Sequence, residues 1–268
     1  MKKLCRAVGA LLAAALLSIG TVRATSFTTD QSDIWNAVNE PGWAAEFVNR
    51  GTTIFAVIYV YDQTMTPIWY SATLEFAGNG SWSGDLYQTS GPWFGTVPFN
   101  PAAVTLRKVG TMTWVSQSVT TGVLAYSVDG VPVTKSLVRY LIRYDDFSGH
   151  YFGGVHETAA GCANPGFNGT TETPSFVYVA QNGQAVNIQT VELQSSATCN
   201  YNGTLAQAGQ MGSVSGSFAC SDGSTGSFTF FEMQINPQGI TGRRALNYSV
   251  PQGCTSTGWF GGVRGTTF

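Results

Sequence analysis

The chain contains only two histidines, and these limit the chemistry that it can perform. His150 and His156 are six residues apart, and Glu157 follows the second. On a regular strand, residues at this spacing share a face but lie about 20 Å apart. A metal ion holds its ligands at about 2 Å, so one ion cannot bind both histidines. We therefore expect no metal and no cofactor. The chain has no G-x-S-x-G nucleophile motif, although a serine triad assembled from scattered residues stays open.

Paired carboxylates are the second kind of residue that could do chemistry. A glycoside hydrolase needs two of them on either side of a sugar linkage. Glu75 and Asp85 are the best pair, because both lie in an aromatic-rich half of the chain. Glu75 stands between Leu74 and Phe76, so it is predicted to face the interior of a barrel. A secreted glycoside hydrolase is accordingly one functional hypothesis.

Aromatic side chains support a different hypothesis, which is binding without catalysis. The first half of the chain holds six of the seven tryptophans. Flat rings can stack on sugars or line an apolar pocket, and a barrel of about eight strands can hold one small ligand. Trp93 and Phe94 lie in a Gly/Pro-rich segment predicted to be a lid or a binding surface. With Trp69 and Tyr70 they are the predicted ligand contacts. We favour a secreted binding protein for a small apolar or carbohydrate ligand, or for a cell-surface partner.

The elements that must position these residues are predicted to be strands. The composition is rich in Gly, Tyr and Phe, and no segment shows sustained helical periodicity. Turn signals divide the first half into eight predicted strands, which are 43–49, 53–61, 67–76, 80–88, 102–108, 111–117, 121–128 and 131–143. A boundary at Asp145–Gly149 gives an aromatic-rich domain at 25–146 and a second domain at 147–268.

Eight more strands are predicted in the second half, at 150–156, 174–181, 184–194, 198–206, 211–220, 226–235, 239–248 and 258–264. The sequence Tyr151-Phe-Gly-Gly-Val155 recurs as Trp259-Phe-Gly-Gly-Val263 in the first and last of these strands. If the two copies pair antiparallel, eight up-and-down strands close into a barrel. The predicted fold class is all-β, with two antiparallel barrel-like or sandwich-like halves of about eight strands each.

Four cysteines follow residue 24, and an even number in an exported chain indicates two disulfides. A hairpin turn at Gly209-Gln210 places Cys199 opposite Cys220, within disulfide range. Cys162 and Cys254 then remain, at adjoining ends of the two strands that carry the repeated Gly-Gly. The predicted bonds are Cys199–Cys220 and Cys162–Cys254.

The first 24 residues are typical of a signal peptide. Lys2, Lys3 and Arg6 precede a short apolar stretch, and Val22-Arg-Ala24 has small residues at the cleavage positions. We expect a secreted or periplasmic protein. The remaining chain is acidic overall, which argues against nucleic-acid partners, and we expect no membrane insertion. Its oligomeric state is not predicted.

An outer-membrane β-barrel is the third functional hypothesis, because the exported chain ends in Phe268. Counting back by twos from Phe268 places Arg264 on the lipid-facing side of the last strand. A charge there is costly near the middle of a bilayer, which disfavours this hypothesis.

One stretch also resembles a known group of proteins. Glu40-Pro-Gly-Trp43, Phe55-Ala56, Tyr61-Asp62 and Pro67-Ile-Trp-Tyr70 follow one another in order. This arrangement resembles a motif of secreted proteobacterial proteins with no assigned biochemical activity. The chain departs from that motif at Ala44 and at Met65-Thr66, where the motif has glycine. The resemblance implies export and this strand order, but no catalytic residue.

Overall fold

The computed structural model describes residues 29–250 and 253–265, so the predicted signal peptide lies outside the described residues. The described chain forms two closed antiparallel barrels of eight strands each, which confirms the predicted fold class. Its helical segments are two single 3₁₀ turns, Pro101–Ala103 and Pro165–Phe167. Within these described ranges, no helix has the length and apolar character needed to cross a membrane.

The first barrel is an up-and-down meander in which each strand pairs with the next along the chain. Its strands are β1 (Asp33–Asn36), β2 (Ala44–Arg50), β3 (Thr53–Tyr61), β4 (Pro67–Gly78), β5 (Ser81–Ser90), β6 (Thr105–Ser116), β7 (Thr121–Val128) and β8 (Val131–Arg139). The short β1 closes the barrel against β8, with Trp35 opposite Arg139.

Two details of the first barrel differ from the prediction. The predicted strands 102–108 and 111–117 are one strand, β6, and the predicted turn at Val109-Gly110 is a register shift opposite Leu86 and Tyr87. A Cβ on Gly110 would lie 2.0 Å from the Ser127 carbonyl oxygen, so this glycine allows close strand approach rather than a turn. The prediction also omitted β1, because four residues are too few to show alternation.

The second barrel contains all eight predicted strands with shifted ends. They are β9 (Gly149–Ala160), β10 (Gly169–Asn182), β11 (Ala185–Glu192), β12 (Thr198–Ala208), β13 (Met211–Cys220), β14 (Thr225–Asn236), β15 (Gly239–Val250) and β16 (Thr255–Arg264). β16 closes the barrel against β9, with Gly261 opposite Gly154. The predicted antiparallel pairing of the two Gly-Gly copies is therefore confirmed.

Both predicted disulfides are present in the second barrel. Cys199 and Cys220 are direct cross-strand partners on β12 and β13, with their Cα atoms 4.0 Å apart. Cys162 follows β9 and Cys254 precedes β16, and their Cα atoms are 3.9 Å apart. The two bonds fasten the same end of the barrel, where β9, β11 and β13 end and β12 and β16 begin.

The segment before β1, together with Asp33 at the start of β1, joins the two barrels. The Gln31 side chain is buried at one end of the first barrel, where its carboxamide oxygen accepts a hydrogen bond from Trp114 Nε1. Asp33 pairs with the buried Arg139 at 3.0 Å and accepts a second bond, at 2.9 Å, from the backbone N–H of Gln210. Gln210 lies in the turn between β12 and β13, so one carboxylate connects both barrels. Burial lowers the pKa of Arg139, although the neighbouring Asp33 opposes that shift.

Candidate functional site

The predicted contacts Trp69 and Tyr70 lie on opposite faces of β4. Trp69 points outward and is 45% exposed, whereas Tyr70 points into the first barrel and is 8% exposed. Burial raises the pKa of the Tyr70 hydroxyl, and nearby Asp129 adds to that rise. Because strand side chains alternate, one ligand on the outer wall could touch only Trp69 of this pair.

Trp93 and Phe94 are exposed, as expected of a binding surface. They lie in the segment between β5 and β6, with their ring centres 5.2 Å apart, and are 69% and 90% exposed. The Trp93 ring lies over Gly95, where a Cβ would come within 2.4 Å of it. Phe99 is also half exposed. The segment is therefore an exposed apolar loop rather than a lid packed on the core.

The prediction that Glu75 faces a barrel interior is wrong. Leu74 is fully buried and Glu75 is exposed, so the carboxylate lies on the outer wall, where it accepts a hydrogen bond from Thr53. Asp85 is partly exposed and pairs with Lys108 at 2.7 Å, an interaction that raises the pKa of the lysine. Each carboxylate thus has a separate partner on an open surface, which does not favour paired acid–base chemistry.

The two histidines have different neighbours, although both point outward from β9. His150 packs edge-on against Tyr178, with ring centres 5.0 Å apart. His156 Nδ1 lies 3.2 Å from Glu172 Oε1. Within the described residues, no group of three or more His, Cys, Asp or Glu side chains is arranged to hold a metal ion.

A row of side chains crosses the outer wall of the second barrel on five successive strands. We call it the Trp259 row; its members are direct cross-strand neighbours, in the order Phe231, Arg243, Trp259, His156 and Glu172. The Arg243 guanidinium carbon lies 4.7 Å from the Trp259 ring centre and 5.1 Å from that of Phe231. These contacts orient the Trp259 ring, which stays 43% exposed.

Beside the Trp259 row, two outward-facing glycines leave a depression in the wall because they have no side chains. Gly154 and Gly261 pair across β9 and β16, two residues along from His156 and Trp259. They leave an open groove of about 570 Å³, within the usual size range of small-molecule sites. We call it the glycine groove; its border residues include Gly154, His156, Glu172, Pro174, Gln194, Trp259 and Gly261.

Close packing accounts for three of the four glycines of this wall but not for Gly261. A Cβ on the outward Gly154 would lie 3.0 Å from the Thr173 carbonyl oxygen. A Cβ on the inward Gly153 would lie 1.9 Å from the Gly261 carbonyl oxygen, and one on the inward Gly262 would lie 3.1 Å from Tyr151 Cβ. Close packing inside the barrel therefore accounts for both. A Cβ on Gly261 would have its nearest neighbours at 3.6 Å, an ordinary contact distance. Because glycine weakens a strand interior, packing does not account for Gly261, and its consequence is the open groove.

The sequence reasoning did not find the glycine groove. It used the repeated Gly-Gly as a sign of strand pairing and sheet coiling, and considered His156 as a metal ligand or as the histidine of a serine triad. The alternation of side chains in the two copies would have placed one glycine of each pair outward, beside Trp259 or His156.

No protein-family model matches the chain, and no curated protein matches it.

Proposed function

We propose that the protein is an exported, non-catalytic carbohydrate-binding protein and that the glycine groove holds the sugar. The observation that carries the proposal is the outward Gly261, which opens the groove next to an oriented and exposed tryptophan although the fold has room for a side chain there. The two disulfides support export, because such bonds persist in oxidising compartments.

The border of the groove suits a sugar better than a purely apolar ligand. A sugar ring has an apolar C–H face and a rim of hydroxyl groups. Trp259 provides an aromatic surface for the apolar face. His156, Glu172 and Gln194 provide planar hydrogen-bonding groups for the hydroxyl groups. Such a mixture of apolar surface and a few convergent polar groups is typical of ligand sites.

The same border supports binding rather than hydrolysis. Glycoside hydrolysis ordinarily needs two carboxylates across the linkage. Glu172 is the one acidic residue among those that line the groove, and its carboxylate is engaged with His156. The hydrolase hypothesis also loses its first pair, since Glu75 and Asp85 each bond to another residue on the outer wall of the first barrel.

The test is isothermal titration of the mature protein with a panel of soluble oligosaccharides, followed by the same titration with variants. We expect saturable binding of at least one glycan, and its loss in Trp259→Ala and in Gly261→Leu. The second variant fills the groove and leaves Trp259 in place. Trp69→Ala is the matched control, because Trp69 is equally exposed but lies on the other barrel.

Two results would contradict the proposal. If Trp93→Ala abolishes glycan binding while Trp259→Ala leaves it unchanged, the exposed loop of the first barrel is the binding site. If glycan binding survives Gly261→Leu in a folded protein, the ligand does not enter the groove.

A further inference from the structure

A second cavity lies inside the second barrel, at the end fastened by the disulfides. It has a volume of about 80 Å³, and its lining includes Cys199 and Cys220. Liquid water occupies about 30 Å³ per molecule, so the cavity has the volume of about three waters or one small organic molecule. We call it the inner chamber. It lies on the opposite face of the β9–β10 wall from the glycine groove.

The inner chamber contains a buried ion pair in which one hydrogen-bond donor has no acceptor. Arg244 Nη2 lies 3.2 Å from Glu157 Oε2, with the two side chains 8% and 16% exposed. Glu157 also accepts a 2.5 Å hydrogen bond from Ser256. Among the residues that the structure describes, neither Arg244 Nε nor the hydroxyl of Ser175 has a hydrogen-bond partner. Both residues are more than nine-tenths buried and line the chamber.

Unpaired buried donors of this kind are costly, because they lose their bonds to water and gain none in return. The Nε–H of Arg244 can only donate, so it needs an acceptor. The Ser175 hydroxyl can donate or accept. An alcohol oxygen, which is both donor and acceptor, can satisfy either group.

The residues that line the chamber carry more negative than positive charges. Glu157 offsets the positive charge of Arg244, and two further carboxylates, Glu192 and Asp222, line the cavity nearer its mouth. Glu192 accepts a bond from Ser195, and Asp222 accepts one from the backbone of Ser224, so each carboxylate keeps acceptor capacity at the rim. A ligand carboxylate would be repelled by these groups, whereas an ammonium group would be attracted.

An aromatic ring beside this cavity favours a cation as well. Tyr248 lines the chamber, and an aromatic face attracts an ammonium group. We propose that the inner chamber is a binding site for a small amino alcohol of the size of ethanolamine. Its ammonium group binds at the Glu192–Asp222 rim, and its hydroxyl binds Ser175, the residue directly opposite Glu192 on the neighbouring strand.

The experiment is isothermal titration of the mature, disulfide-bonded protein with four probes of four heavy atoms each. They are ethanolamine, ethylene glycol, propylamine and acetate, which separate the contributions of the charge and the hydroxyl. We expect saturable binding of ethanolamine, at least tenfold weaker binding of ethylene glycol and of propylamine, and no binding of acetate.

Variants then locate the site. Asp222→Asn is expected to weaken ethanolamine binding about tenfold, as the loss of one charge interaction of about 1.4 kcal/mol would do. Ser175→Ala is expected to weaken it by a similar factor, and thermal unfolding checks that both variants fold. Glu172→Gln is the matched control, because this carboxylate lies on the outside of the same wall.

The proposal is overturned if ethanolamine shows no saturable binding, since the chamber then holds water alone. It is also overturned if ethylene glycol or acetate binds as well as ethanolamine, or if Asp222→Asn leaves the affinity unchanged. These outcomes are independent of glycan binding, which Asp222→Asn leaves intact if the glycine groove is the glycan site.

Discussion

The two barrels have the same strand number, the same meander order and the same mode of closure, yet their interiors differ. The first is filled by a cluster of rings in which Trp114 lies 4.7 Å from Trp35 and 5.0 Å from Phe47, centre to centre. The second holds the Arg244–Glu157 pair and the inner chamber. An eight-stranded barrel is just wide enough for side chains to fill. The second interior also contains large rings, such as Tyr201, Phe228 and Phe230, so the Arg244–Glu157 pair and the chamber beside it, not smaller side chains, distinguish it from the first.

The outer walls differ in a related way. On the first barrel, the outward Tyr59 borders a recess of about 580 Å³ that is formed mainly by the loop between β1 and β2, including Trp43. On the second, the outward Gly154 and Gly261 leave the glycine groove next to Trp259. Of the seven tryptophans, six lie in the first half of the chain and mostly serve its packing. The single tryptophan of the second barrel lines a groove instead.

The largest expected effect tests the filled interior of the first barrel. Trp114→Ala removes a fully buried indole, the centre of the ring cluster, and its bond to Gln31. We expect it to lower the free energy of unfolding by about 3–5 kcal/mol, the usual range for such truncations. Urea denaturation followed by circular dichroism measures this loss. Trp69→Ala is the control, with an expected change within about 0.5 kcal/mol because its ring is on the surface.

If Trp114→Ala and Trp69→Ala destabilised the protein equally, the first interior would not be a packed core. The contrast between the two barrels would then lose its basis.

The second prediction tests whether the ion pair of the second barrel contributes to stability. Arg244→Met alone leaves Glu157 buried without its cation, and breaking a buried pair in this way costs about 3 kcal/mol or more. The double variant Arg244→Met/Glu157→Leu removes both charges, and we expect most of the loss to be recovered. Urea unfolding of the single and double variants measures the difference. A double variant as unstable as the single one would show that the pair is needed for the fold.

The smallest expected effect is on stability at alkaline pH. Burial raises the pKa of Tyr248 to about 12, and the carboxylate of Glu157 adds to the rise. The folded protein therefore retains this proton at pH values where the unfolded chain has lost it. The resulting stability is fully present below about pH 10 and is lost as the pH rises toward 12.

For Tyr248 we expect a loss of about 1–2 kcal/mol across this interval, after allowance for the partial exposure of the ring. Urea midpoints at pH 9.5 and 11.5 measure it. Tyr248→Phe should reduce the alkaline loss, and an unchanged pH dependence in that variant would contradict the assignment.

Much of the fold followed from local sequence signals, above all in the second barrel. The Gly-Gly repeat gave its closure, and the hairpin at Gly209-Gln210 gave the Cys199–Cys220 pair. The register shift in β6 was not predictable, because Val109-Gly110 has the composition of a turn. Only the neighbouring strands show that it is not one.

The sites were harder to predict than the strands, because they depend on which face of a strand points outward. Glu75 was assigned to the wrong face for this reason. One signal was nevertheless present in the sequence. Arg243 and Arg244 are consecutive, and neighbours on a strand point to opposite faces, so one of them had to point into the barrel. Finding its partner Glu157 required the closure of β9 on β16.

The connection between Asp33 and the turn at Gln210 has a consequence for the order in which the protein assembles. Asp33 lies in the first strand to be synthesised, but its second partner leaves the ribosome far later, after the whole first barrel. Gly209 in that turn has φ +54°, and a Cβ there would lie 2.0 Å from the Asp33 carboxylate. The contact between the barrels is thus completed by one of the later hairpins, and a methyl group at Gly209 would displace the Asp33 carboxylate from its place between Arg139 and Gln210.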